Sequence, residues 1–569
     1  MALQELVPGV GETSVQHTTL GLDAVARNVC NTWDEAVLSG GSPFTVIVIG
    51  SGAYGGYLAT KVVDLHPSAR VLVLEAGPFL VAEHVQNLGN VGLNVASPIS
   101  PANDPGAARE LVWGMPWRGN VEFPGLAYCC GGKSLFWGGW CPRLTPNDLA
   151  AWPASAAAYL ESHYDRVESE TGVVPATDFI AGRLLDVLHQ RSAAIVDLVP
   201  NLDVDLPGGP LQLAPIAVQG NSPASGLFSF DKYSSMPALI QAIRTDIAKG
   251  GGDAERRIFL VPRAHVTRLS EADGAATVIE VDVNGARRTL AVGAAKVVLA
   301  ASTIESTRLA LTSFPTPLMG RNLMAHIRSD FTARIRRSAL PVVPGNVQTA
   351  ALLIRGRAAG APFHLQLTAS TSRGGSDAML YQMVPDLDLL DQQLANNDPE
   401  WISVTLRGIG AMTGDQTTAI PSAATSWVDL SPHERDEFGV PRAYVHLRTS
   451  AADDQLWTAM DQSAVQLLQQ LAGAPGNIEY LYDGGWQQTP FPLARPFPPW
   501  HWGLGTTYHE AGTLWMGNDP MTSVSDPTGR LHHLSNVYVG DQAAFPTVGS
   551  ANPVLTGLTL ARRLAEQLG

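Results

Sequence analysis

Residues 45–77 (TVIVIGSGAYGGYLATKVVDLHPSARVLVLEAG) restrict the fold of this chain more than any other stretch. Val46–Ile49 is wholly apolar and β-branched, as in a parallel strand that is covered on both faces. A glycine-rich turn follows, and then Tyr57–Val63 predicts a helix packed on that strand. Val71–Leu74 predicts the next strand, and Glu75 comes directly after it. This order of elements predicts an α/β fold with a parallel sheet.

The turn after the first strand fits the dinucleotide fingerprint G-x-G-x-x-G in residues 50–55. The first glycine permits the tight turn, the second lets the backbone approach a pyrophosphate, and the third lets the helix lie close to the strand. Helix N–H groups then face the phosphates, and the acid after the second strand can accept hydrogen bonds from both ribose hydroxyls. The unit predicts an ADP-binding site but does not separate NAD from FAD. The expected cofactor contacts are Gly50, Gly52, Ala53, Tyr54, Gly55 and Glu75.

Composition narrows the class of partner. The 569 residues are 45% hydrophobic and 16% charged, which is ordinary for a globular chain longer than one domain. A formal net charge of -15 argues against nucleic acid or an anionic membrane surface as partner. The four cysteines predict neither a disulfide framework nor a metal site. The cysteine content instead indicates a reducing cytoplasm. No Lys or Arg precedes Arg27, so neither a signal nor a transit peptide is readable, and no membrane insertion is expected.

A second glycine-rich stretch, residues 126–140 (LAYCCGGKSLFWGGW), holds two Gly-Gly pairs. Backbone of this kind can lie against something flat or charged, so the stretch is a second candidate for cofactor contact. A surface turn is the alternative, but Leu, Phe and two Trp are costly to leave exposed. The adjacent Cys129 and Cys130 are interpreted as small buried residues, because no His or further Cys lies at metal-ligand spacing.

The middle of the chain predicts a return to the first sheet and then a different sheet. Val261–Leu269 and Lys296–Ala300 predict strands, and Ala301 opens a turn into a helix whose N–H groups face another anion-binding strand end. Residues 327–365 and 401–448 alternate only moderately, which predicts an antiparallel sheet with one wetter face.

These patterns predict two domains that each use several parts of the chain. One binds the nucleotide through the parallel sheet, and the other binds the substrate. An N-terminal arm over residues 1–40, with a helix over Leu22–Leu38, precedes both. The nucleotide domain is expected at residues 41–155, 226–326 and 501–569, and the substrate domain at residues 156–225 and 327–500.

Several motifs follow one another in a characteristic order: VIVIGSGAYGG, VLVLEAG, GGKSLFWGG, the WP segment before YDRVE, VVLAASTIES, GRNLMAH, YHEAGTLWMG and VYVGDQAAFPTVGSANPVLT. In combination they resemble the glucose-methanol-choline (GMC) flavoprotein oxidoreductases. The likeness runs from Val46 to Leu568, strong at the ends and weak in the middle. It implies an FAD-binding domain with a Rossmann-like parallel sheet and a substrate domain of antiparallel sheet plus helices. Ser302 stands where the family commonly has Gly, which leaves the detail of that turn open.

The resemblance implies FAD rather than NAD as the cofactor. Asp541 and its neighbours then contact the ribityl and pyrophosphate region, and the backbone of Val266 meets the adenine. Members that bind FAD covalently carry a His at the position of Phe136, so non-covalent FAD is expected here. The glycine segment contributes Gly131, Gly132 and Ser134 on the isoalloxazine side, and the remaining expected cofactor contacts are Ala301, Asn552 and Pro553.

The family's catalytic pair is a His followed later by a His or Asn just before a Pro, and His509 and Asn552 occupy these positions. Alcohol oxidation moves a hydride from carbon to flavin N5, so the hydroxyl proton must leave at about the same time, and a near-neutral imidazole suits that task. An amide holds the substrate oxygen without competing for the proton. A histidine satisfied by backbone in the core is the alternative for His509. Other histidines are interpreted as structural or solvated: His265, His326, His501, His532 and His533.

The GGKSLFW segment and the Asn at position 552 resemble the pyranose-oxidase branch, which implies a sugar or glycoside as substrate. Phe497, Trp500 and Trp502 could stack on a sugar ring and His501 could reach the substrate, although these aromatics fit a plain core equally well. Aliphatic, aryl and sterol alcohols are the alternative substrates, and oxygen or another acceptor takes the electrons.

Three other classes of function stay open. A lyase, decarboxylase or photochemical member would keep FAD without oxidising alcohols. A binding protein on this fold would tolerate the loss of His509, and an NAD-dependent dehydrogenase would be colourless.

Overall fold

The computed structural model describes residues 25–87, 112–121, 125–174, 180, 182–219, 231–340, 348–371, 395–417 and 419–569. The helices are α1 (Trp33–Val37), α2 (Ala53–Leu65), α3 (Ala154–Thr171), α4 (Arg183–Ile195), α5 (Ser235–Ile247), α6 (Thr303–Ser313), α7 (Ala451–Ala472) and α8 (Val554–Leu568). The strands are β1 (Val46–Ile49), β2 (Val71–Leu74), β3 (Trp113–Gly114), β4 (Trp117–Gly119), β5 (Leu126–Ala127), β6 (Val173–Val174), β7 (Leu211–Leu213), β8 (Ile216–Gln219), β9 (Asp231–Lys232), β10 (Ile258–Val261), β11 (Ala264–Ala272), β12 (Ala275–Val283), β13 (Ala286–Ala291), β14 (Lys296–Leu299), β15 (His326–Arg336), β16 (Thr349–Ala358), β17 (Ala361–Ser370), β18 (Trp401–Ala411), β19 (Trp427–Arg435), β20 (Pro441–His446), β21 (Ile478–Tyr482), β22 (Gly485–Gln487) and β23 (Val537–Val539).

A five-stranded parallel sheet forms the first half of the core, in the order β10-β2-β1-β14-β23. Every residue of β1 and β2 is buried, because helices and loops cover both faces of the sheet. The strands run in one direction, so the turns after β1, β14 and β23 meet at one edge. These strands come from three distant parts of the chain, and their meeting point positions the site.

A seven-stranded antiparallel sheet forms the second half, in the order β22-β21-β15-β18-β17-β16-β7. Helix α7 packs on one face through buried residues that include Leu456, Met460 and Leu467. The predicted α/β fold with a parallel and an antiparallel sheet is confirmed.

The other face of this sheet is polar, as predicted, but it is not exposed to solvent. Arg328, Asp330, Gln366 and Arg407 share this face and all are buried. Asp330 pairs with Arg407 across β15 and β18, and Arg407 pairs with Gln366 across β18 and β17. The polar face covers the interior of the molecule instead of meeting solvent.

Two predicted elements are wrong. The helix expected over Leu22–Leu38 is limited, within the described residues, to a short 3-10 turn and α1, because extended Thr32 begins a new helix in a capping box with Glu35. The strand expected over Val261–Leu269 is two strands. Pro262 lacks an N–H group and Arg263 has a φ of +53°, so β10 ends in the parallel sheet and β11 starts in an antiparallel one.

Among the described residues, no helix combines the length and the apolar character that crossing a bilayer requires.

Candidate active site

The glycine turn after β1 borders a large cavity between the two sheets. Gly50 has a φ of +99° and lies against the carbonyl of Ala300. A Cβ on Gly55 would lie 2.0 Å from the carbonyl oxygen of Gly50, so this position must be glycine for α2 to start here. A Cβ on Gly52 would meet nothing within 4 Å, because this backbone faces the open cavity. The turn therefore presents the N-terminus of α2 to the cavity, as an anion site requires.

Glu75 lies at the end of β2 and lines the same cavity. One carboxylate oxygen accepts hydrogen bonds from the backbone N–H and hydroxyl of Ser51, at 2.9 and 2.7 Å, and the other accepts from the N–H of Gly77 at 2.9 Å. Burial raises the pKa of Glu75, and these hydrogen bonds oppose that change. Each oxygen can accept more than one hydrogen bond, so a ligand hydroxyl can still be bound.

Asp541 and Gln542, near the C-terminus, lie beside the cavity, and Gln542 is hydrogen-bonded to the glycine turn. The Tyr54 hydroxyl donates to the side-chain oxygen of Gln542 at 2.7 Å, and the Gln542 amide donates to the carbonyl of Glu510 at 2.6 Å. Asp541 is buried and accepts from the Ser306 hydroxyl at 2.6 Å and from the N–H of Ala543 at 2.9 Å. Burial raises the pKa of Asp541 to about 6. Asp541 therefore fixes this turn and does not itself line the cavity.

His509 and Asn552 meet at the far wall of the cavity. The Asn552 amide nitrogen lies 3.4 Å from Nε2 of His509, and both residues line the cavity. Burial lowers the pKa of His509 well below its ordinary value, and His326, His364, Arg328 and Lys133 add to this effect. His509 is therefore neutral near pH 7 and able to accept a proton.

Two further side chains hold this pair from behind. Nδ1 of His326 lies 2.7 Å from Nδ1 of His509, and Nε2 of His326 lies 2.8 Å from the carbonyl oxygen of Gly549. The Gln366 amide donates to the side-chain oxygen of Asn552 at 2.9 Å. His326 is interpreted as structural from the sequence, and Gln366 has no sequence signal of its own, so their contacts with the pair are visible only in the structure.

The residue before His509 has a strained backbone. Tyr508 has a φ of +58°, which is uncommon for a bulky residue. Its ring stacks on Trp113 at 6.0 Å between centroids, and the ammonium group of Lys133 lies 5.4 Å from the ring centroid. Strain of this kind persists where surrounding contacts hold it, and both Tyr508 and His509 line the cavity.

Comparison with known proteins agrees with this geometry. Residues 422–561, which include His509 and Asn552, match the family model described as GMC oxidoreductase. The chain is 24% identical to C-glycoside 3-oxidase from Arthrobacter globiformis over 92% of this chain and 95% of that protein. It is 26% identical to paromamine 6'-oxidase from Streptomyces fradiae over 92% of this chain and 90% of that protein. The crystal structure of pyridoxine 4-oxidase from Mesorbium loti superposes with a TM-score of 0.57 at 16% identity, covering 92% of this chain and 99% of that one, and shows the same fold.

The chain therefore carries a GMC oxidoreductase domain in residues 422–561. It is an FAD-dependent oxidoreductase that acts on CH–OH groups.

The residues around the cavity fit the FAD of a GMC oxidoreductase. The open space at Gly52 and the N-terminus of α2 suit the pyrophosphate. Glu75 and Val266, which are expected to meet the ribose and the adenine, both line the cavity. Ser302 has a φ of +77°, so it adopts the backbone conformation of the glycine that commonly stands there. The predicted cofactor contacts that line the cavity are Gly50, Gly52, Ala53, Tyr54, Glu75, Gly132, Ser134, Val266, Ala301, Asn552 and Pro553.

Three predicted cofactor contacts lie behind the wall of the cavity. Gly55 is enclosed between the turn and α2, and Gly131 donates its N–H to the Ser51 hydroxyl at 3.1 Å. Asp541 holds the turn before Gln542. These residues shape the wall. Gln542, the neighbour of Asp541, lines it, and so does Lys133, for which the motifs predict no contact.

The predicted sugar-stacking aromatics do not line the cavity. Trp500 is 4% exposed and packs against Phe331 and Phe491, at 6.0 and 5.3 Å between centroids, so it belongs to the core. Phe497 is 99% exposed on the outside. The stacking prediction is wrong for both, because sequence proximity to His509 does not give the direction of a side chain.

His501 and Trp502 also lie away from the cavity wall. Nε2 of His501 lies 2.6 Å from a carboxylate oxygen of Asp461, and its ring stacks on Trp457 at 4.2 Å. Trp502 supports Arg328, whose guanidinium lies 4.1 Å from the ring centroid. Arg328 and Arg407 themselves line the cavity, so the antiparallel sheet reaches it through arginines and not through these aromatics.

Proposed function

We propose that this protein oxidises a CH–OH group of a sugar or glycoside to a carbonyl, with His509 as general base and Asn552 as its partner. The observation that carries the proposal is the pair itself. A buried imidazole and a side-chain amide, 3.4 Å apart, line the cavity that starts at the glycine turn. This is the pair of groups that removal of a hydroxyl proton requires.

Bound at the glycine turn and Glu75, FAD would supply a two-electron acceptor for the C–H hydride. His509 takes the hydroxyl proton as the C=O bond of the product forms. The low pKa of His509 keeps its ring neutral at neutral pH, so that one of its two nitrogens can accept a proton. Asn552 donates an N–H to the substrate oxygen and holds it next to Nε2. The positive charges of Arg328 and Lys133 favour negative charge that develops on that oxygen.

The polar face of the antiparallel sheet supports a polyhydroxylated substrate. Arg328 and Arg407 line the cavity, and Gln366 lies beside Arg407 on the neighbouring strand. Such donors suit a molecule with several hydroxyl groups better than a plain aliphatic or sterol alcohol. Two relatives of similar length are named for oxidation of a C-glycoside and of paromamine, which supports the same class of substrate. Both are named oxidases, which supports oxygen as the electron acceptor.

We also propose that FAD is bound without a covalent bond. Phe136 lines the cavity at the position of the histidine in covalently linked members, and its ring packs beside Trp113 with centroids 6.0 Å apart. A phenyl ring offers no nucleophile to a flavin. Acid precipitation should release all of the flavin into the supernatant.

The substrate proposal is tested by oxygen uptake and carbonyl product analysis with a panel of O- and C-glycosides, free sugars, aryl alcohols and aliphatic alcohols. The expected result is uptake with glycosides or sugars and one carbonyl per oxygen consumed. If aryl or aliphatic alcohols alone are oxidised, with oxygen or with an added quinone, the sugar proposal is wrong.

A further inference from the structure

We propose that His326 is a positioning residue that fixes the tautomer of His509, so that Nε2 of His509 presents its lone pair to the substrate. This inference rests on the proposed role of His509 as base. His326 begins β15, is buried, and is far from His509 in sequence. Its ring stands nearly perpendicular to that of His509, with an interplanar angle of 85° and centroids 4.9 Å apart.

The position of the ring proton on His326 follows from its contact with Gly549. Its Nε2 lies 2.8 Å from the carbonyl oxygen of Gly549. A carbonyl oxygen only accepts hydrogen bonds, so Nε2 of His326 must carry the proton. Burial lowers the pKa of His326 to about 4, and the ring is neutral near pH 7. In a neutral imidazole with a proton on Nε2, Nδ1 carries a lone pair.

This tautomer of His326 determines which nitrogen of His509 carries the proton. The lone pair of His326 Nδ1 faces Nδ1 of His509 at 2.7 Å, a contact that is a hydrogen bond only if His509 carries its proton on Nδ1. Nε2 of neutral His509 is then unprotonated. The opposite tautomer would place two lone pairs against each other at 2.7 Å in a buried site, which is strongly unfavourable.

Asn552 agrees with this assignment from the other side. Its amide oxygen accepts from Gln366 at 2.9 Å, so its NH2 group is the part that faces Nε2 of His509 at 3.4 Å. An N–H donor opposite Nε2 matches a lone pair there and conflicts with a proton. The two contacts are independent, because His326 lies on β15 and Gln366 on β17. Both favour Nε2 of His509 as a hydrogen-bond acceptor.

The arrangement also suits His509 after it has taken the substrate proton. The imidazolium keeps its Nδ1–H on the lone pair of His326, so neither ring has to turn during the reaction. Besides burial, His326, His364, Arg328 and Lys133 lower the pKa of His509. Of these, His326 is the one that hydrogen-bonds to Nδ1 of His509.

The test compares His326→Ala with His326→Gln in the FAD-loaded enzyme. The Gln side chain carries an amide oxygen that can accept from Nδ1 of His509, whereas Ala carries no acceptor. We expect His326→Ala to slow anaerobic flavin bleaching by substrate by about 10-fold or more, with FAD content and the substrate concentration for half-maximal rate nearly unchanged. We expect His326→Gln to recover most of the rate. The same change at His532, which hydrogen-bonds to Ser523 away from the cavity, is the matched control.

Nitrogen-15 NMR of histidine-labelled protein tests the tautomer without reference to activity, with His509 assigned from the His509→Gln spectrum. We expect Nε2 of His509 to give the signal of an unprotonated nitrogen in the unaltered protein and in His326→Gln, and a mixed tautomer in His326→Ala. A protonated Nε2 in the unaltered protein, or equal loss of rate in both His326 variants, would overturn the inference. If instead no alcohol bleaches the flavin while the tautomer is as expected, the proposed function fails and the positioning role of His326 stands.

Discussion

The two sheets contribute to the cavity in different ways. The parallel sheet offers backbone: a turn of consecutive residues, 50–55, places N–H groups and open space at the N-terminus of α2. The antiparallel sheet offers side chains: Arg328 and Arg407 line the cavity, and Gln366, on the same face, binds the side chain of Asn552. Backbone recognition suits the invariant phosphates of a cofactor, while separate side chains can be changed one at a time to suit a substrate.

The largest expected effect separates chemistry from cofactor binding. His509→Ala removes the proposed base, so anaerobic bleaching of the flavin by substrate should slow by about 10³-fold, within the range for general base catalysis. FAD content should stay unchanged, because the glycine turn and Glu75 remain intact. Rapid-mixing absorbance gives the rate, and the visible spectrum gives the bound flavin. A variant that bleaches at the original rate would show that His509 is not the base.

The second effect contrasts two glycines of the same turn. Gly52→Ala adds a methyl group that meets no protein atom within 4 Å, so the protein should fold normally but bind FAD about 10-fold more weakly. Gly55→Ala places a methyl group 2.0 Å from the Gly50 carbonyl oxygen and should destabilise the fold itself by about 1–3 kcal/mol. FAD titration by fluorescence and urea unfolding of the FAD-free proteins distinguish the two. Equal stability of the two variants would contradict the close packing of α2 on the turn.

A smaller effect is expected on the antiparallel side. Gln366→Leu removes the donor to the Asn552 side-chain oxygen, so the amide loses its fixed orientation and kcat should fall by about 10-fold with FAD binding unchanged. Gln466→Leu on α7, where the amide makes only a 3.5 Å contact with the carbonyl of Leu198, serves as the control. Steady-state kinetics of both variants are the measurement. If Gln366→Leu behaves like the control, the amide of Asn552 is oriented by other contacts.

The smallest effect is the dependence of stability on pH. Burial lowers the pKa values of His326, His364 and His509 in the folded protein, so the unfolded chain binds more protons once the pH falls below about 6.5. Stability is therefore retained above that pH and lost as the pH falls toward about 5. Melting temperatures across this range should decrease, and they should decrease less steeply in His364→Gln. A flat profile would show that these histidines are not buried as neutral rings.

The contrast between the sheets also explains what sequence could predict. The glycine turn and Glu75 are readable because the geometry follows from residues close in sequence, and His509 and Asn552 are recognised through family motifs. His326 and Gln366 were not assigned to the site, because they reach the pair only through strand pairing and a loop far away in the chain. The motif GRNLMAH ends in His326 and offered a signal, but a motif does not show which side chain a histidine faces.

The prediction of sugar-stacking aromatics in the loop before His509 is wrong for a related reason. Their aromatic side chains make Phe497, Trp500 and Trp502 candidates for stacking on a sugar. In the structure, however, Trp500 is buried in the core and Phe497 is exposed on the surface. Aromatic side chains stabilise cores and bind sugars through the same apolar surface, so residue type alone does not separate these roles. The direction of the Trp500 side chain is set by its packing against Phe331 and Phe491, which lie far from it in sequence.

The central claim is tested most directly by an anaerobic titration of the purified protein with a glycoside while the visible flavin spectrum is recorded. The account predicts that the oxidised flavin band is present and bleaches in proportion to the carbonyl formed, and that it returns when air is admitted. A flavin band that no sugar, glycoside or simple alcohol bleaches would contradict the account, because His509 and Asn552 would then line a cavity that does not oxidise a CH–OH group.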